Sequence, residues 1–209
     1  MKNYMNKLFE TGKAVRNLND GNVVIVPTDT VPGLAVDATN ESAIERIYKI
    51  KKRDYNKTIP LLFPSVEQAR KYLSISKEEM KLAEKFWPGG LTLVLKSKKV
   101  LPHILENPAG NIGARIPANE TTRKLIKMLG KPIAATSINI SGEPSITNLE
   151  QIPASITSQI AGILAGNYKS EGKPSTVVEV VKNEVKVYRE GKVSIDEIRE
   201  VLSNYTIVD

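Results

Sequence analysis

The stretch that most constrains the fold is Gly21-Asn22-Val23-Val24-Ile25-Val26-Pro27-Thr28-Asp29-Thr30-Val31-Pro32-Gly33-Leu34. Val23 to Val26 is an unbroken β-branched run, which predicts a strand buried on both faces. Pro27 ends it, because proline offers no N–H to a ladder. Two hydroxyls and a carboxylate follow directly. A buried strand therefore delivers Thr28, Asp29 and Thr30 to its C-terminal end, where open α/β sheets bind their ligands. The competing reading is a turn, in which Thr and Asp only bond nearby backbone. Both readings stand on this stretch alone.

Composition removes several classes of chemistry. The 209 residues contain no cysteine, which excludes disulfides, thiolate metal sites and a cysteine nucleophile. The single histidine, His103, lies in a Pro-His-Ile loop with no nucleophile signature nearby, so a Ser-His-Asp triad is not read. A net charge of +7 and a pI of about 9.4 favour anionic partners such as nucleotides or nucleic acid. Aromatic residues make up only 5%, too few to support a base-stacking platform. No run approaches the roughly 20 apolar residues of a membrane span. Lys2 and Lys7 are not followed by an apolar leader core, so a cytoplasmic location is expected.

Along the chain, Asn3 to Leu18 reads as an amphipathic helix and Gly21 as its stop. Asn40 caps a helix from Glu41 to Lys51, whose exit Lys49–Lys57 carries five basic residues and one acid. Such a basic loop between core elements suits polyphosphate, although a merely solvated helix end reads the same way. Ile59–Phe63 follows as a strand. Ser65-x-x-Gln68 and Ser76-x-x-Glu79 start helices over 66–73 and 77–85. Leu91–Lys96 is a strand after the Trp87-Pro88-Gly89-Gly90 turn, with Trp87 read as a core plug. Asn111–Pro117 is a strand carrying Arg115 among small and apolar neighbours, a setting that calls for a carboxylate or phosphate partner. Asn119–Leu129 is a helix. Pro132–Thr136 is a strand that exits into Ser137-Ile138-Asn139-Ile140-Ser141-Gly142, repeating the buried-strand, polar-exit design. Pro144–Ser158 is a loop or weak helix. Ile160–Ala165 is a strand, Ser175–Arg189 a hairpin turning at Lys182-Asn183, and Ser194-x-x-Glu197 caps a last helix. One domain over residues 1–209 is expected.

These residues carry a resemblance. Pro27–Leu34 resembles the P-T-[DE]-T-V-[YP]-G-L signature of the YrdC/TsaC family. Lys51-x-Arg53, Trp87-Pro88-Gly89 with Leu91-Thr92, Arg115-x-Pro117, and Ser137-x-Asn139-x-Ser141-Gly142 match its further motifs in order. So do Pro144-Ser145, Ser175-Thr176-Val177-Val178 and Arg189-x-Gly191. Pro32, Thr58, Leu62, Asn167 and Tyr168 depart from the usual pattern.

The resemblance implies an α/β fold, a twisted mixed parallel and antiparallel sheet with flanking helices and a basic central groove. It resembles the short form of the family, without the further C-terminal domain of longer relatives. It also implies a nucleotidyltransferase that makes threonylcarbamoyl-AMP and pyrophosphate from L-threonine, bicarbonate or CO2, and ATP with Mg²⁺. The product would serve a downstream threonylcarbamoyl-transferase complex that modifies tRNA beside the anticodon, with possible tRNA contact through the groove. By the same resemblance Thr30, Arg115 and Ser175 hold threonine. Arg53, Lys57, Asn111, Ala135, Ser137, Asn139, Ser145 and Arg189 hold ATP, and Lys51 with Arg53 forms the catalytic basic motif. Two alternatives remain: a non-catalytic tRNA or double-stranded RNA module, and another carbamoyl-adenylate chemistry.

Overall fold

The computed structural model describes residues 7–169 and 172–208. In chain order its elements are β1 (Leu8–Phe9), α1 (Thr11–Asn19), β2 (Val24–Val26), β3 (Gly33–Asp37), α2 (Glu41–Lys51), β4 (Leu61–Leu62), α3 (Val66–Tyr72) and β5 (Leu73–Ser74). There follow α4 (Lys77–Phe86), β6 (Leu91–Ser97), β7 (Asn111–Arg115), α5 (Glu120–Leu129), β8 (Ile133–Ser137), α6 (Ala154–Thr157), β9 (Gly162–Leu164), β10 (Thr176–Val181), β11 (Glu184–Arg189), α7 (Ile195–Val201) and β12 (Thr206–Val208).

The strands form one mixed sheet in the order β1-β9-β2-β3-β8-β4-β7-β6-β10-β11-β12, with β5 paired to β6. Its centre alternates direction: β2 with β3, β3 with β8 and β8 with β4 are antiparallel, whereas β4–β7 and β6–β10 are parallel. The caps follow the side-chain chemistry. Asn40, Ser65, Ser76, Asn119 and Ser194 each accept from the third residue of their helix. Ser76 and Ser194 complete full capping boxes with Glu79 and Glu197. Gly130 closes α5 at φ 75°, a left-handed conformation that favours glycine.

Strand alternation divides the core. Ile25, Leu34, Val36, Leu61, Leu93, Leu95, Ile112, Ala114, Ala134 and Val178 point to one side, where α2 and α4 help to bury them. Val24, Val26, Ala35, Ile133 and Ala135 point to the other, against Leu18 of α1 and Leu125 and Ile126 of α5. Complete burial of such a leucine or isoleucine contributes about 1.5–3 kcal/mol. On this second side α1 and α5 cover only the β2–β3–β8 half. The same face of β7, β6 and β10 is left for a cavity.

Several elements differ from the sequence expectations. The first helix starts at Thr11, and Leu8–Phe9 instead extends the sheet parallel to β9; residues 3–6 of the expected helix lie outside the described residues. After Pro32 the chain returns at once as β3, antiparallel to β2, where a polar exit alone was read. Leu73 ends the third helix by entering β5, and β12 extends the sheet beyond the hairpin.

Candidate active site

The cavity has a volume of about 400 Å³, within the range of small-molecule sites. Its floor follows strand alternation: Asn111, Gly113 and Arg115 from β7, Thr92 and Val94 from β6, and Ser175 and Val177 beside and on β10. Ala135 and Ser137 of β8, with Ser145, form a second wall, and Arg53, Asn56, Lys57 and Thr58 of the basic loop a third. Arg53, Lys57, Arg115 and Arg189 line it, and no carboxylate is among the described lining residues.

The β2–β3 connection organises one end. The Thr28 hydroxyl donates to the Val31 carbonyl at 2.7 Å and accepts from the Thr30 and Val31 N–H groups. For Thr28 the turn reading is therefore the correct one. That turn presents Asp29 and Thr30 to Arg115. Arg115 is 5% exposed. Its Nη2 donates to Asp29 Oδ1 at 2.6 Å, Nη1 to Thr30 Oγ1 at 2.6 Å and Nε to the Gly89 carbonyl at 2.8 Å. Asp29 Oδ1 also accepts from the Ala118 N–H, and Lys192 Nζ lies 3.8 Å from Oδ2. Burial lowers the Arg115 pKa, and the Asp29 carboxylate opposes that shift. The guanidinium thus has a protein carboxylate, yet three bonds leave two of its five N–H groups unused.

Ser175 continues this end. Its hydroxyl lies 2.8 Å from Thr92 Oγ1 and accepts from Arg189 Nη2 at 3.2 Å, while Arg189 Nε donates to the Ser175 carbonyl at 3.0 Å. Burial, then the charge of Arg53, lowers the Arg189 pKa. Repulsion between Arg53 and Arg189 is the electrostatic counterpart of a site that wants an anion.

Arg53 is half-buried and folds back on its own loop, donating to the Lys57 carbonyl at 2.7 Å and the Thr58 carbonyl at 2.9 Å. The loop is thereby closed on itself. Ser137 Oγ donates to Asn139 Oδ1 at 2.7 Å.

Lys51 and Asn139 do not line the cavity, in contrast to their expected direct roles. Lys51 is 1% exposed, and its ammonium donates to the Ser137 carbonyl at 2.5 Å, the Asn139 carbonyl at 3.0 Å and Asn139 Oδ1 at 2.6 Å. Burial, with the charge of Arg53, lowers its pKa to about 7. Last on α2 and aimed behind the Ser137–Asn139 exit, Lys51 is a positioning residue for that loop. The remaining ten expected site residues all line the cavity: Thr30, Arg53, Lys57, Asn111, Arg115, Ala135, Ser137, Ser145, Ser175 and Arg189.

A further polar group was not singled out in the sequence. Asn111 Nδ2 donates to Glu179 Oε1, and the Tyr188 hydroxyl donates to Glu179 Oε2, each at 2.5 Å. Burial first, then Glu179, raises the Tyr188 pKa to about 12. Alternation along β10 places 175, 177 and 179 on one face, and that is the sequence signal which could have found Glu179.

Positive charge, hydroxyls and amides converge in one recess of a mixed α/β sheet, an arrangement complementary to a polyanionic small molecule. The chain belongs to the Sua5/YciO/YrdC family, whose sequence model, described as "Telomere recombination", matches residues 16–191. It is 34% identical over 191 residues to the threonylcarbamoyl-AMP synthase of Pyrococcus abyssi, covering 91% of this chain and 56% of that relative. It is 32% identical to the threonylcarbamoyl-AMP synthase of Vibrio vulnificus, over 79% of this chain and 90% of that protein. The crystal structure of P. abyssi Sua5 complexed with L-threonine superposes with a TM-score of 0.89 at 31% identity, covering 96% of this chain and 62% of that one. The chain therefore spans little more than half the length of the P. abyssi relative.

Proposed function

We propose that this protein is an L-threonylcarbamoyladenylate synthase, forming threonylcarbamoyl-AMP and pyrophosphate from L-threonine, bicarbonate or CO2, and ATP. The observation that carries the reading is the joining, in one cavity, of a guanidinium with two unused N–H groups and a separate cationic wall. A planar fork matches an amino-acid carboxylate, with Thr30 and Ser175 nearby for the amine and hydroxyl. Arg53, Lys57 and Arg189 offer charge and Ser145 a hydroxyl donor to a triphosphate, and Ser137 joins them when its hydroxyl turns from Asn139 Oδ1.

The chemistry needs no protein nucleophile. Threonine's amine adds to CO2, releasing a proton and leaving a carbamate. A carbamate oxygen attacks the α-phosphorus, a new P–O bond forms, and the bond to the β-phosphate bridging oxygen breaks to release pyrophosphate. The side chains hold the reactants in line and offset the charge gathering on the phosphates. Mg²⁺ is proposed to arrive with ATP. Mg²⁺ of this kind is held mainly by phosphate and water. Transfer of the product to tRNA by partner proteins, with tRNA contact through basic surface, belongs to the same proposal. No helix among the described residues is long and apolar enough to cross a membrane.

The test is pyrophosphate release from ATP with threonine and bicarbonate supplied together and singly. Release that requires both, with threonylcarbamoyl-AMP detected by mass, supports the reading. Release independent of threonine, or none, overturns it.

A further inference from the structure

The basic loop that forms the third wall of the cavity is built on one residue of α2. Lys52 ends that helix in the left-handed region, at φ 48° and ψ 44°, a conformation uncommon outside glycine. The chain then meets Tyr48, which is 1% exposed and lies one turn back on the helix, at every second residue. The Arg53 N–H donates to the Tyr48 carbonyl at 2.9 Å. The Tyr55 ring stacks on the Tyr48 ring, with centroids 4.6 Å apart and planes 13° from parallel. The Tyr48 hydroxyl donates to the Lys57 carbonyl at 3.2 Å. That carbonyl also accepts from Arg53 Nε at 2.7 Å. Arg53, Asn56, Lys57 and Thr58, the residues carried by these contacts, line the cavity. Tyr55 is 54% exposed and is not among the described lining residues, so its ring serves the loop from outside.

We infer that Tyr48 and Tyr55 are positioning residues for the polyphosphate wall: the stacked pair fixes the register in which Arg53 and Lys57 face the cavity. This rests on the synthase reading for a triphosphate as the ligand. Lys52, Arg53 and Lys57 repel one another, and Asp54 is the only acid among them, so the loop has no tendency of its own to gather its cations. The Tyr48 hydroxyl sets where Lys57 lies, and the ring contact sets the path from Arg53 to Asn56. Without the stack the loop keeps its charges but samples positions in which the two cations no longer meet neighbouring phosphates. The cost of ordering it then falls on ligand binding. An aromatic pair contributes enough to change a binding constant by about two- to tenfold.

The experiment measures binding of inorganic tripolyphosphate and of ATP by calorimetry, and threonine-dependent pyrophosphate release, in wild type, Tyr55→Ser, Tyr55→Phe and Tyr48→Phe. Tyr55 is exposed, so Tyr55→Ser removes the ring without opening the core. It is expected to weaken both ligands by about two- to tenfold and to raise the KM for ATP by a similar factor. The KM for threonine should stay within about twofold, because Arg115 and its partners are untouched. Tyr55→Phe keeps a ring and should bind as wild type does. Tyr48→Phe keeps the stack and loses the Lys57 bond, so it should weaken binding by about twofold or more. A stack that only stabilises the fold lowers the melting temperature and leaves both affinities unchanged, which overturns the inference. Equal weakening by Tyr55→Ser and Tyr55→Phe also overturns it, since the ring contact is then not the cause. Tripolyphosphate binding that depends on the ring, in a wild type without threonine-dependent turnover, overturns the synthase reading and leaves this inference standing. Threonine-dependent turnover with the same affinities in all four proteins does the reverse. A wild type that binds neither ligand overturns both.

Discussion

Arg115→Lys separates the two roles that meet on one guanidinium. The wild-type side chain reaches Asp29, Thr30 and Gly89 from three different nitrogens. A lysine ammonium is a single point, so it can stay with Asp29 but leaves the Thr30 hydroxyl and Gly89 carbonyl behind. Two hydrogen bonds from a charged donor, at about 1.5–3 kcal/mol each, give an expected stability loss of about 3–6 kcal/mol. At roughly 2–4 °C per kcal/mol for a chain of this size, the melting temperature should fall by about 6 °C or more. The two unused N–H groups disappear as well. Loss of one charge-assisted bond to the threonine carboxylate should raise threonine KM by about 10- to 150-fold. ATP affinity without threonine should stay within about twofold, since that wall keeps its own donors. Differential scanning fluorimetry and steady-state kinetics on the same preparation measure all three. A lower melting temperature with unchanged threonine KM would show that Arg115 only ties Asp29 to the sheet.

Lys51→Met should weaken ATP binding by loosening the Ser137–Asn139 exit, measured by calorimetry; unchanged affinity would refute the positioning role. It also carries a pH signature. The folded pKa of about 7 lies below the ordinary lysine value of 10.5, so the unfolded chain holds the extra proton between them. Stability from this group therefore rises with pH across that window, and Lys51→Met should flatten the rise in denaturant titrations at pH 7 and 10. Ser137→Ala should weaken ATP binding by about 1.5–3 kcal/mol if its hydroxyl meets a phosphate, and an unchanged Kd counts against that contact. Arg53→Ala should lower ATP use and increase proteolysis at residues 52–58, because Arg53 holds the Lys57 and Thr58 carbonyls. Glu106 is buried, which pushes its pKa up, but hydrogen bonds from Lys99, Ser97 and His103 bring it down to about 2. Its stabilisation is present above pH 4.5 and is lost as pH falls toward 2, so Glu106→Gln should blunt acid unfolding in that window.

Much of this architecture is legible in residue patterns. β2, β6, β7, β8 and the β10–β11 hairpin follow β-branched and apolar runs bounded by Pro, Gly and polar turns. β3 was hidden because Pro32 and Gly33 read as the end of a polar exit, whereas they open a returning strand. β1 and β12 are two and three residues long, held by neighbours distant in sequence rather than by local propensity. At the site, ordered motifs brought ten side chains to one cavity. Lys51 was misplaced because a sequence shows the charge at the end of α2 but not the three acceptors waiting behind the Ser137 exit. For Arg115, composition showed that a partner was needed; only the fold shows that Asp29 supplies it. Glu179 gave no local signal beyond its alternation with Ser175 and Val177, because its meaning comes from Asn111, 68 residues earlier.

The ties that assemble the cavity bear on how the chain reaches its native state. Arg115 meets partners 85 and 86 residues away, and Lys51 meets acceptors 86 and 88 residues away. Contacts of this separation close large loops, the slow part of folding in sheets of high contact order. The helices and the β10–β11 hairpin can form from local contacts, but the Arg115 and Ser137 walls of the cavity exist only after the distant segments have met. A partly folded chain therefore has no site to offer, and substrates bind the completed native state alone. Threonine and ATP should slow unfolding and leave the folding rate nearly unchanged, acting as native-state clamps rather than as templates.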